Sequence, residues 1–269
     1  MKRTTRTIRK RVRRALISIA ATAVVAAVAW VAVPSIGAEW LPELSDIVGG
    51  APTIEQVAIA VDGDYYTVDG AAEVLYAAEP GDVAYCPVDQ LDRATCAYGV
   101  LTSELRQAAA DRGREDITVD PAGWPAENGE VTIPARADVD GSTAYSGWLW
   151  NRSHLLADSL GGAASRENLV TGTRTQNVGS TRADGVYAGG MAYTEKIARD
   201  YLDTGAGDAC PLYYAATPQY HGDELIPRAV HVDVRSCDGE IDMRVNVTNA
   251  AAGCSLNYVF GTAECRAGS

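Results

Sequence analysis

The chain of 269 residues carries 35 Asp+Glu against 23 Lys+Arg, a formal charge of -12, and has room for one sizeable domain plus appendages. That acidic balance argues against a protein that grips polyanions through bulk positive charge. Six cysteines, none in a Cys-x-x-Cys pair, argue against a zinc ribbon or thioredoxin-type site and predict structural disulfides in an oxidising compartment.

The amino terminus opens with eight Lys and Arg between Lys2 and Arg14, followed by an uncharged stretch from Ala15 to Ala38. A basic block before an apolar run is the pattern of a signal peptide or an N-terminal membrane anchor, and either one exports the rest of the chain. The expected organisation is therefore a leader over 1-38, a spacer over 39-52 and one domain over 53-269. Removing the leader leaves a body more acidic than the whole chain.

Val57 to Val61, Asp62-Gly63 and Asp64 to Val68 read as a hairpin, because Asp-Gly between alternating apolar residues favours a two-residue turn. Leu101 to Arg112 predicts a helix with Thr102 or Ser103 as its cap and Gly113 as its stop. Pro, Gly and Asn between 120 and 130 mark loops before a short strand near Val131 to Ile133. An aromatic run through Trp148 and Trp150 predicts a strand that ends at His154, and Leu155, Leu156 and Leu160 predict a short helix closed by Gly161. Met191 to Leu202 predicts a longer helix, and strands are expected over 211-216, 229-235, 241-247 and 256-260. Strands in bulk with a few helices predict an α+β fold with a mainly antiparallel sheet. Short spacings pair Cys86 with Cys96 and Cys254 with Cys265, leaving Cys210 with Cys237.

Three stretches carry a resemblance. Asn151-Arg152-Ser153-His154-Leu155-Leu156-Ala157, the run from Glu167-Asn168-Leu169 to Thr175-Gln176-Asn177, and the later 223-232 segment with Asn257-Tyr258 resemble the DNA/RNA non-specific endonucleases. These are secreted nucleases of the ββα-metal, or His-Me finger, class, and the streptococcal DNases are the branch most similar. The resemblance covers roughly the C-terminal half. It implies hydrolysis of DNA, and of RNA as well, to 5′-phosphate ends with Mg²⁺, for which Mn²⁺ can substitute. The alternative is an extracellular nucleic-acid-binding or adhesion protein that keeps the fold without turnover.

His154 sits where a strand meets a helix, held on one side and open on the other, as a general base must be. An ordinary imidazole titrates near about 6.5 and is mostly neutral at neutral pH, the state that accepts a proton from water. The resemblance makes Asn177 the protein ligand to the metal, since a hard cation takes a neutral amide oxygen while keeping waters; a plain turn asparagine before Gly179 is the other reading. Glu195 either holds metal-bound waters or pairs with Arg199, its i+4 neighbour. Arg174 and Gln176 flank Thr175 and are expected to share one face of an extended segment gripping phosphate, with Arg152 a second phosphate or leaving-group contact. Arg152, Arg166, Arg174 and Arg182 are expected to form the local basic cleft that the net charge lacks. Asn168 is expected to anchor its loop rather than touch substrate. The family often has Asp and Gly where this chain has Asn151 and Ser153, so another group would have to orient the histidine.

Overall fold

The computed structural model describes residues 63-266. The leader, the spacer and the first arm of the expected hairpin lie outside the described residues. In chain order come β1 (Tyr66–Gly70), β2 (Val83–Tyr85), β3 (Ala97–Leu101) and helix α1 (Ser103–Arg112). Five short strands come next: β4 (Glu130–Ile133), β5 (Ser142–Thr143), β6 (Tyr145–Trp148), β7 (Trp150–His154) and β8 (Leu169–Thr173). Helix α2 (Arg174–Val178), β9 (Thr181–Arg182), α3 (Met191–Asp203) and α4 (Ala206–Ala209) lead to the long strands β10 (Leu212–Gln219), β11 (Ala229–Ser236) and β12 (Asp242–Thr248). The pair β13 (Cys254–Leu256) and β14 (Ala263–Cys265) completes the order.

Six strands form one antiparallel sheet in the order β1-β12-β11-β10-β3-β2. The described arm of the hairpin therefore pairs with β12. Strand β11 explains the sheet: Val230, Val232 and Val234 alternate inward, and Val230 and Val232 lie opposite Val247 and Val245 of β12. β-branched pairs at a spacing of two suit a pleated, half-buried surface. Onto that face pack Met191, Ala198 and Leu202 of α3, together with Leu155, Leu156 and Leu160 from the segment after β7. The spacing of the three α3 residues places them on one helix face, as the sequence predicts.

Local signals set the helix ends. Thr102 Oγ1 accepts from the Leu105 N–H at 3.1 Å to cap α1, and Gly113 ends it at φ +75°. The short helix after His154 is a single 3₁₀ turn, Asp158–Leu160, closed by Gly161 at φ +96°. A second core gathers Ile133, Leu149, Trp150, Ile226, Leu256 and Tyr258. The three disulfides pair as the spacing predicts, Cys86–Cys96, Cys210–Cys237 and Cys254–Cys265.

The strand expected over 256-260 is displaced. β13 stops at Leu256 because the Asn257 Oδ1 accepts from the Val259 and Phe260 N–H groups at 3.0 and 3.1 Å. A side chain that satisfies the backbone this way replaces a ladder with a turn.

Candidate active site

The site is built on β7 and β8, an antiparallel pair in which His154 lies opposite Leu169 and Trp150 opposite Thr173. The chain leaves β8 directly into α2, so Asn177 returns toward the strand that carries the histidine. The connection between the strands is clamped by Asn168, which is fully buried. Its Oδ1 accepts from the Leu156 N–H at 2.9 Å, and its Nδ2 donates to the Leu156 and Ala163 carbonyls, both at 2.9 Å. This amide anchors its loop, as the sequence leads one to expect, and fixes the backbone two residues past His154. Asn168→Ala is expected to lower the urea midpoint of unfolding substantially, at about 1 to 3 kcal/mol for each buried group left unpaired; an unchanged midpoint would show the clamp to be dispensable.

His154 is half-buried, and its Nε2 is a buried atom with no hydrogen-bond partner. It lines a cleft of about 450 Å³ together with Asn177, Glu195, Asp158, Arg106 and Arg114. Burial holds the imidazole below the ordinary histidine value of 6.5; Asp158 and Glu115 pull upward, while Arg114 and Arg112 add to the depression. A lowered value means that the neutral, proton-accepting ring persists below pH 6.5, so an activity limited by this base keeps an acid limb under that pH. An NMR titration of the metal-free protein is expected to place the His154 midpoint below 6.5, and a midpoint above it would contradict the burial argument.

Asn177 is held at both ends of its amide. Ser153 Oγ donates to its Oδ1 at 3.1 Å, and its Nδ2 donates to the Asn151 Oδ1 at 3.2 Å. The two positions at which this chain departs from the family pattern thus serve the asparagine. Its oxygen keeps a second lone pair. Glu195 meets Arg199 at 3.4 Å, as the helix spacing predicts, and also lines the cleft. Burial raises its carboxyl above the ordinary range against the pull of Arg199.

The extended segment expected before Asn177 is a helix instead. Thr173 Oγ1 accepts from the Gln176 N–H at 3.0 Å and starts α2, so Arg174 and Gln176 do not share an exposed face. Gln176 is fully buried, and its amide is so close to Gly172 that a Cβ there would lie 2.0 Å from Gln176 Oε1. This burial corrects the reading of Gln176 as a phosphate contact. Thr-x-x-Gln at 173-176 is a capping-box pattern, a signal that would have revealed the helix. Arg174, the first residue of α2, does reach the surface of a second cleft.

That cleft, about 580 Å³, adjoins the first and shares Asn177 and Arg114 with it. Arg152 and Arg174 line it. Arg152 pairs with Asp120 at 2.5 Å and lies over the Trp124 ring at 4.2 Å. The Arg174 guanidinium lies 5.1 Å from the Tyr145 ring centre and 4.9 Å from that of Tyr187, and its Nη1 is buried without a hydrogen-bond partner. Arg166 and Arg182 line neither cleft and pair with Asp92 and Asp184. Their expected places are taken by Arg106 and Arg114, brought in from α1 and the segment after it. Sequence reasoning also missed Asn249, fully buried, whose Oδ1 accepts from Thr173 N–H at 2.8 Å and whose Nδ2 donates to the Thr171 and Pro227 carbonyls. It ties β8, and with it the start of α2, to the long sheet; nothing in the residues around it announces that role.

The donors fit a hydrated hard cation rather than a closed cage. Among the described residues no group of three or more His, Cys, Asp and Glu gathers to hold a metal. Asn177 offers one neutral oxygen and Glu195 a carboxylate on the same cleft, and Mg²⁺ commonly takes only one or two protein oxygens while keeping waters and substrate phosphate.

Two antiparallel strands ending in a histidine, followed by helical segments that return an asparagine and a glutamate to it, define a ββα-metal, or His-Me finger, core. The chain belongs to the DNA/RNA non-specific endonuclease family, whose model matches residues 73-238. It is 32% identical over 243 residues to a deoxyribonuclease of Streptococcus dysgalactiae subsp. equisimilis, spanning 74% of this chain and 72% of that one. The solved structure of Sda1 nuclease with a bound zinc ion superposes with a TM-score of 0.66 at 30% identity, over 76% of this chain and 98% of its own. NucA from Streptococcus agalactiae with a magnesium ion bound shares the fold, with a TM-score of 0.53 at 23% identity over 74% and 84% of the two chains. These relatives put the chain in the streptococcal DNase branch.

Proposed function

We propose that this nuclease is an exported, Mg²⁺-dependent endonuclease that hydrolyses DNA and RNA phosphodiesters with little sequence preference. The observation that carries the reading is His154, which lines a cleft with Asn177, Glu195 and Arg114 and whose buried Nε2 has no hydrogen-bond partner. In this reading His154 takes a proton from water as the water oxygen attacks phosphorus in line. The bond from phosphorus to the 3′ oxygen breaks, the electron pair leaves on that oxygen, and solvent protonates it. The products are a 5′-phosphate and a 3′-hydroxyl. Asn177 would hold the cation and Glu195 its waters, with Mn²⁺ an acceptable substitute. When bound, such a cation neutralises charge on the non-bridging and departing oxygens. Arg152 and Arg174 grip neighbouring phosphates through forked donors.

Export rests on the basic and apolar leader pattern and on three disulfides, which suit an oxidising exterior. Among the described residues no helix is long and apolar enough to cross a membrane, and the leader lies outside them. The purified protein is expected to nick supercoiled plasmid and degrade RNA with Mg²⁺, to stop in EDTA, and to resume when Mg²⁺ is restored. Cutting that continues in EDTA would remove the metal from the mechanism. Binding without cutting in both Mg²⁺ and Mn²⁺ would favour the non-catalytic alternative.

A further inference from the structure

The second cleft holds more aromatic surface than phosphate contacts require. Trp124, Tyr145, Trp148 and Trp150 line it, and Tyr187 stands at its edge against Arg174. Trp150 is core, but Trp148 is 54% exposed and Tyr187 51% exposed. Among the described residues no ring or guanidinium covers Trp148, whereas Trp124 and Tyr145 already carry the planes of Arg152 and Arg174. An indole left open beside two stacked guanidiniums, one with an unpartnered buried nitrogen, is an unusual surface in so acidic a chain. Positive forks that track phosphate, interleaved with flat rings, are what a single strand requires: each base presents a face, and a ring or guanidinium plane accepts it.

A duplex cannot use such a platform, because its base faces are already stacked on one another and only its backbone and groove edges are presented. We propose that this cleft is a subsite that stacks unpaired bases of a DNA strand next to the scissile phosphate, giving the nuclease a preference for single-stranded or locally melted substrate. The proposal rests on the nuclease reading for its place in catalysis. As a binding site it stands on the open rings and the two arginines. Asn177 and Arg114 line both clefts, so the two are neighbours, and a strand with its phosphate at His154 runs on within a few nucleotides toward Trp148 and Tyr187.

The test is fluorescence anisotropy with the full-length protein in EDTA, where cutting is not required, using a single-stranded DNA 12-mer, its duplex, and a 12-mer with abasic sites at its centre. The single strand is expected to bind more tightly than the duplex at the same salt. Trp148→Ala and Tyr187→Ala are each expected to weaken single-strand binding about tenfold, with duplex binding changed less than threefold and the melting temperature unchanged. The abasic strand is expected to bind the unaltered protein as weakly as the intact strand binds the double variant. Equal losses for both substrates, no loss in the variants, or an abasic strand that binds as well as the intact one would each overturn the subsite. A protein that cuts nothing but shows these differences would retain the subsite and lose the nuclease reading; one that cuts DNA without them would do the reverse.

Discussion

His154→Ala is expected to lower kcat on plasmid DNA by about 10²- to 10⁴-fold, the usual contribution of a positioned general base, while the protein remains folded. The ring is half-buried at the end of β7 and belongs to neither apolar core, so its removal leaves the packing of Leu155, Leu156 and Leu160 intact. What it removes is an imidazole that lines the cleft and whose buried Nε2 has no hydrogen-bond partner. A structural histidine would give the opposite pattern, a lower melting temperature with activity retained. Imidazole added to the variant is expected to restore part of the rate, because the space vacated opens on the cleft; a variant that cuts at the normal rate without it would end the assignment.

Asn177→Ala is expected to lower activity by at least about 100-fold at a fixed Mg²⁺ concentration, on the scale by which even outer-shell partners alter metal sites. Higher Mg²⁺ should recover part of the loss, since the defect lies in holding the cation. Two further costs can be separated from it. The substitution leaves the buried Ser153 hydroxyl without its acceptor and Asn151 without its donor, so stability falls as well, by about 1 to 3 kcal/mol for the buried group. Asn177→Asp keeps an oxygen in the same place and adds charge, and it is expected to bind the metal at least as well. Activity measured against Mg²⁺ concentration for the two variants distinguishes these effects; identical curves for Ala and the unaltered protein would take Asn177 out of the metal site.

Much of this arrangement is legible in the residues because it rests on local pattern. The aromatic run ending in His154, the stripe along α3, the valine alternation of β11 and the short cysteine spacings each reflect a period or a reach that one segment determines alone. The failures are of another kind. Gln176 reads as exposed when only its neighbours are counted, but Thr173 caps a helix and turns the amide onto Gly172. Arg166 and Arg182 lie near the histidine in sequence, and both are held elsewhere by Asp92 and Asp184; Arg114, distant from His154 along the chain, lines the cleft instead. Trp124, Trp148 and Tyr187 come from three separate segments, so no window of sequence brings them together. The conflict posed by a charge of -12 resolves in the same way. Arg114 and Arg174 form no ion pair among the described residues, and with Arg152 they line a groove that has no Asp or Glu in its lining, so positive charge is concentrated there whatever the total.

Anomalous scattering from crystals grown with Mn²⁺ and an uncut oligonucleotide tests the proposed catalytic centre most directly. One ion bonded to Asn177 Oδ1 and to a phosphate oxygen, with the His154 ring facing the phosphorus, is the predicted result. An ion bound away from Asn177, or a phosphate that leaves the imidazole facing protein alone, would contradict it.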